Sequence, residues 1–134
     1  AVLNPKSDIG NFILSSDASE IELYTPDFLR IEMERHLPKL VQLSGSTEQT
    51  IRKIMTLVYA QLIFISDAQI PFEYYKNAVP FVRDVDMDDL VFVALNDLME
   101  ETLWTGDMKL YRELKAKGYE RVVTFQEIRK VFKI

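Results

Sequence analysis

Three acidic residues stand where a parallel α/β chain places its chemistry. In open parallel sheets, ligands bind beyond the carboxyl ends of the strands. Acids just after strands or at helix starts are therefore the first candidates. Asp107 follows a strand ending at Thr105, Asp89 lies in the first turn of an apolar helix, and Glu32 sits in the helix after the first visible strand. Carboxylates converging from separate elements suit Mg²⁺ or Mn²⁺, which take hard oxygen ligands and keep positions for water and phosphate. Such an ion acidifies a bound water and neutralises charge on a phosphodiester transition state. Each acid also has a purely structural role. Asp89 at N3 satisfies a helix terminus and its dipole, Asp107 is placed as an N-cap, and Glu32 is a solvated surface charge.

Other chemistries fare worse. Asp84-Val85-Asp86-Met87-Asp88 matches the opening acids of an EF-hand loop, but Asp89 stands where the loop needs Gly and Leu95 where it needs Glu. Asp84-Val85-Asp86 is similar to the paired aspartates of haloacid-dehalogenase-like phosphatases, yet a helix follows instead of a Gly-rich turn. Neither G-x-x-x-x-G-K-[ST] nor G-x-G-x-x-G occurs. His36 is the only histidine and there is no Cys. That excludes a two-histidine zinc site, thiolate chemistry and disulfides within one chain. His36, near a predicted helix end, reads as structural. Trp104 and the group Phe72, Tyr74 and Tyr75 could stack bases, although core packing is the simpler role for aromatics.

The elements that would position the acids alternate. Ser7 to Leu14 reads as a short helix. Glu20 to Tyr24 alternates apolar and acidic residues as a strand does, and Thr25-Pro26 ends it. A helix opening at Thr25 or Pro26 runs to about His36, where Pro38 interrupts it before a last turn or two to Leu43. Ser46 and Gln49 are spaced as a capping box for a helix carrying Ile51, Ile54, Met55, Val58 and Leu62. Leu62 to Ile65 is a buried strand and Phe72 to Val82 a helix. Asp86 caps the next helix, whose buried stripe is Val91, Ala94, Leu95 and Leu98. Thr102 to Thr105 is a strand, and Asp107 to Lys117 a helix stopped by Gly118. Arg121 to Phe125 is a strand and Gln126 to Phe132 the closing helix. This alternation predicts βαβ units: an α/β fold with a mainly parallel sheet covered by helices in three α/β/α layers.

Length and charge agree. The 134 residues suit one domain, 1–134, and 48% hydrophobic with 28% charged residues is a globular composition. The net charge of −5 weighs against passive duplex binding, which phosphate neutralisation drives, more than against a metal nuclease. No apolar run approaches the roughly 20 residues of a membrane span, and no signal peptide is visible. The lack of Cys fits a cytoplasmic location. The chain opens with Ala1-Val2 and not Met, so its amino end is expected not to be the natural start.

Taken together, these motifs resemble the PIN domain family. From Val82 to Glu127 the chain carries an acid before an apolar helix (DDLVFVAL), the strand-end Thr105-Gly106-Asp107, and a later VVTF strand followed by a helix. The amino half, LNPKSDIGNFILSS followed by ELYTPDFLRIEMERH, is similar to the first helix, second strand and next helix of a prokaryotic PIN branch. The resemblance implies Mg²⁺- or Mn²⁺-dependent endoribonuclease activity on single-stranded RNA, in many members as the toxin of a toxin–antitoxin pair with a small antitoxin partner. It assigns Glu32, Asp89 and Asp107 as the second, third and fourth acids and metal ligands. It makes Thr105 a supporting or phosphate-contacting hydroxyl, with Asp88 the nearest competitor to Asp89.

The family also opens with an apolar strand ending in Asp, and here Ala1-Val2-Leu3 reads as the start of the helix after it. Asp8 and Asp17 come too late to replace that acid. The strand is central in the family, between those matching Glu20–Tyr24 and Thr102–Thr105, so its loss leaves backbone groups unpaired on both neighbours. The neighbours could pair directly, another chain or a homo-oligomer could fill the gap, or the natural protein could be longer. The leading expectation is a PIN-type ribonuclease, inactive in this form if the first acid is lost. The alternative is a non-catalytic PIN-like module that binds RNA or protein.

Overall fold

The computed structural model describes residues 13–14 and 21–132. The predicted helix from Ser7 to Leu14 lies mostly outside these residues. The chain divides into two units, Ala1–Ile65 and Ser66–Ile134.

In the first unit, β1 (Leu23–Pro26) pairs in parallel with β2 (Leu62–Ile65), with Leu23 opposite Leu62 and Pro26 opposite Ile65. The strand extends two residues past the expected stop at Thr25-Pro26. The residue before a proline is biased toward extended backbone, and a proline is tolerated at a strand end. Thr25 and Pro26 are both buried. Helix α1 (Phe28–Ser44) follows, fixed at its entry by the Asp27 N–H donating to the Ile65 carbonyl at 3.1 Å. Pro38 does not interrupt α1, contrary to expectation. Its locked φ fits a helix, and the lost hydrogen bond, at about 3 kcal/mol, is offset by packing that includes Leu37, only 3% exposed. His36 is consequently mid-helix and exposed.

Gly45 at φ 69° terminates α1 in a left-handed cap. Thr47, and not Ser46, caps α2 (Glu48–Ala60): its side chain accepts from the Thr50 N–H at 3.1 Å. Ser46 instead donates its N–H to Ser44 Oγ. Ile51, Met55 and Val58 are the buried face of α2, as their spacing requires.

In the second unit, α3 (Phe72–Val82) packs on α4 (Leu90–Met99) and on α5 (Met108–Ala116). Ala78, Val82, Val93, Ala94, Leu114 and Val122 are fully enclosed. A parallel pair of two-residue strands, β3 (Leu103–Trp104) and β4 (Val122–Val123), flanks α5, and α6 (Phe125–Phe132) closes the unit. Both strands are shorter than the sequence suggests. Still, Leu103 N–H to Arg121 and Thr105 N–H to Val123 extend the contact one residue either way.

The α/β class and parallel pairing are therefore as expected. The described strands form two separate two-stranded sheets, β1 with β2 and β3 with β4. Among the described residues no helix is long and apolar enough to cross a membrane.

Candidate active site

Asp89 and Asp107 come from two successive connections of the second unit. A 3₁₀ turn, Met87–Asp89, leads into α4, and Asp86 caps it by accepting from the Asp88 N–H at 2.9 Å. Asp89 follows at the N-cap position of α4 but makes no side-chain capping bond. Asp86 is thus the cap, as expected, and Asp89 adds no side-chain bond to it. One oxygen of Asp89, Oδ2, is enclosed and has no hydrogen-bond partner among the described residues. A buried carboxylate oxygen without a donor is costly. Burial pushes the Asp89 carboxyl up to about 6, and the negative charges of Asp86, Asp107 and Asp88 add to the shift.

Asp107 does cap its helix. Its Oδ1 accepts from the Lys109 N–H at 3.0 Å and the Leu110 N–H at 3.2 Å. Thr105 Oγ1 in turn accepts from the Asp107 N–H at 3.0 Å, which fixes the turn after β3. Both capping bonds end on one oxygen, so the exposed carboxylate keeps acceptor capacity on the other. The bland and the chemical roles of Asp107 are compatible.

Asp89 and Asp107 are thus electrostatic neighbours, joined by Asp86 and Asp88. Asp86 was expected only as a cap, and its part in loading Asp89 with negative charge is legible only as the run Asp86-Met87-Asp88-Asp89. Glu32 lies half-buried on α1 in the first unit. Among the described residues, no three His, Asp or Glu side chains form a group able to hold a metal ion.

The aromatics divide. Phe72, expected in the core, is 78% exposed at the start of α3. Tyr74 and Tyr75 are half-buried, and the Tyr75 hydroxyl donates to the Asp67 carbonyl at 2.8 Å. Trp104 stacks on Phe125 with centroids 5.9 Å apart. An open hollow of about 610 Å³, lined by Thr102, Val123, Glu127, Ile128, Lys130 and Val131, contains none of the three candidate acids.

A family model described as PIN domain matches residues 1–127, nearly the whole chain. The chain belongs to the PIN domain family. Comparison with curated proteins and with solved structures gave no match. The PIN fold is in general a nuclease fold, and its members generally use divalent metal ions. The PIN domain's oxygen chemistry suits the acidic pair here. Asp89 and Asp107 offer hard oxygen donors, and the enclosed Asp89 Oδ2 has no hydrogen-bond partner among the described residues.

Proposed function

We propose that this PIN domain is a metal-dependent endoribonuclease acting on single-stranded RNA. The observation that carries the proposal is the Asp89 carboxylate, which makes no capping bond and has one oxygen enclosed beside other acids. Asp89 and Asp107 would hold Mg²⁺ or Mn²⁺, and the family resemblance adds Glu32 as a further ligand. When bound, the ion would supply an acidified water and charge neutralisation at the phosphate. Asp107 holds its orientation through the two amide bonds to its Oδ1, and Thr105 steadies the turn that carries it. Asp86 keeps the Asp89 turn in place by its own cap.

The non-catalytic alternative has one observation in its favour: among the described residues, no three candidate ligands form a metal-holding group. An RNA- or protein-binding PIN module would need none. A toxin role with a small antitoxin partner, and a homo-oligomer that covers open strand edges, belong to the same proposal. Mn²⁺ titration followed by cleavage of a labelled single-stranded RNA tests it. Cleavage that depends on Mn²⁺ and disappears in Asp89→Asn is the expected result. Native protein that neither binds Mn²⁺ nor cleaves leaves the binding-module reading.

A further inference from the structure

We propose that Arg30 is a phosphate-binding residue for single-stranded nucleic acid, its guanidinium held ready by the rings of Phe64 and Tyr59. Arg30 is exposed in the first turn of α1, three residues beyond Asp27, whose N–H bonds the last residue of β2. It therefore stands just past the carboxyl end of β1, the end of a parallel pair where ligands bind. Its Cζ lies 3.8 Å from the centroid of Phe64 and 4.7 Å from that of Tyr59. Those two rings meet edge to face at 5.6 Å and 85°, and the guanidinium lies within cation–π reach of both.

The charge is what needs explaining. Arg52 bonds Glu34 through two nitrogens and also Glu48, and Arg121 bonds Asp97. Arg30 has no carboxylate or carbonyl acceptor among the described residues, although the chain carries 21 acids against 16 Lys and Arg. The Tyr59 hydroxyl in the same cluster is enclosed and also lacks a partner among the described residues. The charge of Glu34, one helical turn beyond Arg30, also reaches the Tyr59 hydroxyl, but both Glu34 oxygens are bonded by Arg52, so Arg30 keeps its flat fork of five N–H groups. That fork matches two oxygens of a phosphate, and a side chain already seated on two rings loses less freedom on binding than one free in solvent.

A lone exposed arginine holds a free anion weakly in water. A polymer brings its phosphate to the fork with the help of its other contacts, so the ligand is a phosphodiester chain. The inference takes its substrate, single-stranded RNA, from the ribonuclease reading above. It does not require cleavage to occur.

The test is binding of a short fluorescent oligouridylate to the full chain in EDTA, by anisotropy, across a series of NaCl concentrations. Arg30→Met should weaken binding about tenfold and lower the slope of log K against log salt by about 0.7, one phosphate contact on a single strand. Arg30→Lys should keep the slope and lose only a few-fold in affinity, because charge is retained and the fork is not. Circular dichroism on both variants checks the fold, and Arg30→Lys preserves the test if Arg30→Met does not fold. No oligouridylate binding by the native protein overturns the proposal. So does unchanged affinity and slope in Arg30→Met, which would make Arg30 a lid on two rings. Displacement of the RNA by inorganic phosphate at comparable concentration overturns the polymer ligand in favour of a free anion. Mn²⁺-dependent cleavage, measured separately, decides the ribonuclease reading, so either idea can fail alone.

Discussion

The two parallel strand pairs of this chain are secured in different ways. In the first unit, β1 and β2 share four rungs, and the Asp27 N–H adds a further bond to Ile65. In the second, β3 and β4 share two rungs. What the shorter pair lacks in backbone bonds is supplied from the side by polar side chains. Asn96, 7% exposed on α4, donates through Nδ2 to the Tyr119 hydroxyl at 2.8 Å and to the Arg121 carbonyl at 3.3 Å. The Tyr119 hydroxyl donates to Asp97 Oδ1 at 2.8 Å, and Arg121 donates to the same oxygen at 2.7 Å. Burial pushes the Tyr119 hydroxyl up to about 12, so it remains a donor throughout the useful pH range. The lesson is that a two-residue strand can be held in register by a satisfied side-chain network. The unit built this way is also the one that carries the acidic pair.

The largest expected effect concerns that pair. Asp89→Asn and Asp107→Asn should each lower metal-dependent RNA cleavage about 100- to 1,000-fold, the scale of losing several kcal/mol of charge stabilisation. Asn is as good an N-cap as Asp, so Asp107→Asn tests charge without removing the cap. Equal single-turnover rates in native and variant proteins would separate the acids from the chemistry.

The network comes next. Tyr119→Phe removes the bond to Asp97 and leaves the Asn96 amide with one fewer acceptor, which should cost about 1–3 kcal/mol in urea unfolding. An unchanged midpoint would show that the short strands hold without it.

A smaller effect is tied to pH. The Asp89 carboxyl rises from an ordinary 3.8 to about 6 in the folded chain. The folded state therefore holds this proton more tightly than the unfolded state. The resulting stability is fully present below about pH 4 and is lost as pH rises through 6. Screened by solvent at a half-exposed site, the loss amounts to about 1 kcal/mol. In metal-free buffer, Asp89→Asn should raise the melting temperature at pH 7 and leave it unchanged at pH 4. A native protein whose stability rises from pH 4 to 7 at the same rate as the variant's would refute the assignment.

The smallest effect belongs to the first unit. Arg52, with Glu34 at 2.8 Å and Glu48 at 3.3 Å, forms an exposed ion-pair group. Exposed pairs contribute little, so Arg52→Ala should leave the thermal unfolding midpoint within error. A clear drop would mean that this unit, too, depends on side-chain networks.

The sequence by itself determined a good deal. The apolar run Leu62 to Ile65 and the segment Phe72 to Val82 appear with the bounds their patterns suggest, because local periodicity and flanking breakers agree there. Gly45 and Gly118 end their helices at positive φ, the backbone region that suits glycine. The family was legible in the order of acids and strands, and Asp89 and Asp107 were legible as candidates from their places after a turn and a strand.

The tertiary structure decided the rest. Pro38 stays inside α1 and Pro26 inside β1, because packing and ladder bonds outweigh a local breaker. Asp86 was legible as the cap, but that Asp89 keeps one enclosed oxygen with no partner among the described residues depends on how the chain bends between α3 and α4, and no spacing rule states that. Arg30, two residues before Glu32, carries no motif. Its seat against Phe64 and Tyr59 arises only when residues 30, 59 and 64 meet in space, through contacts that periodicity along the chain does not encode.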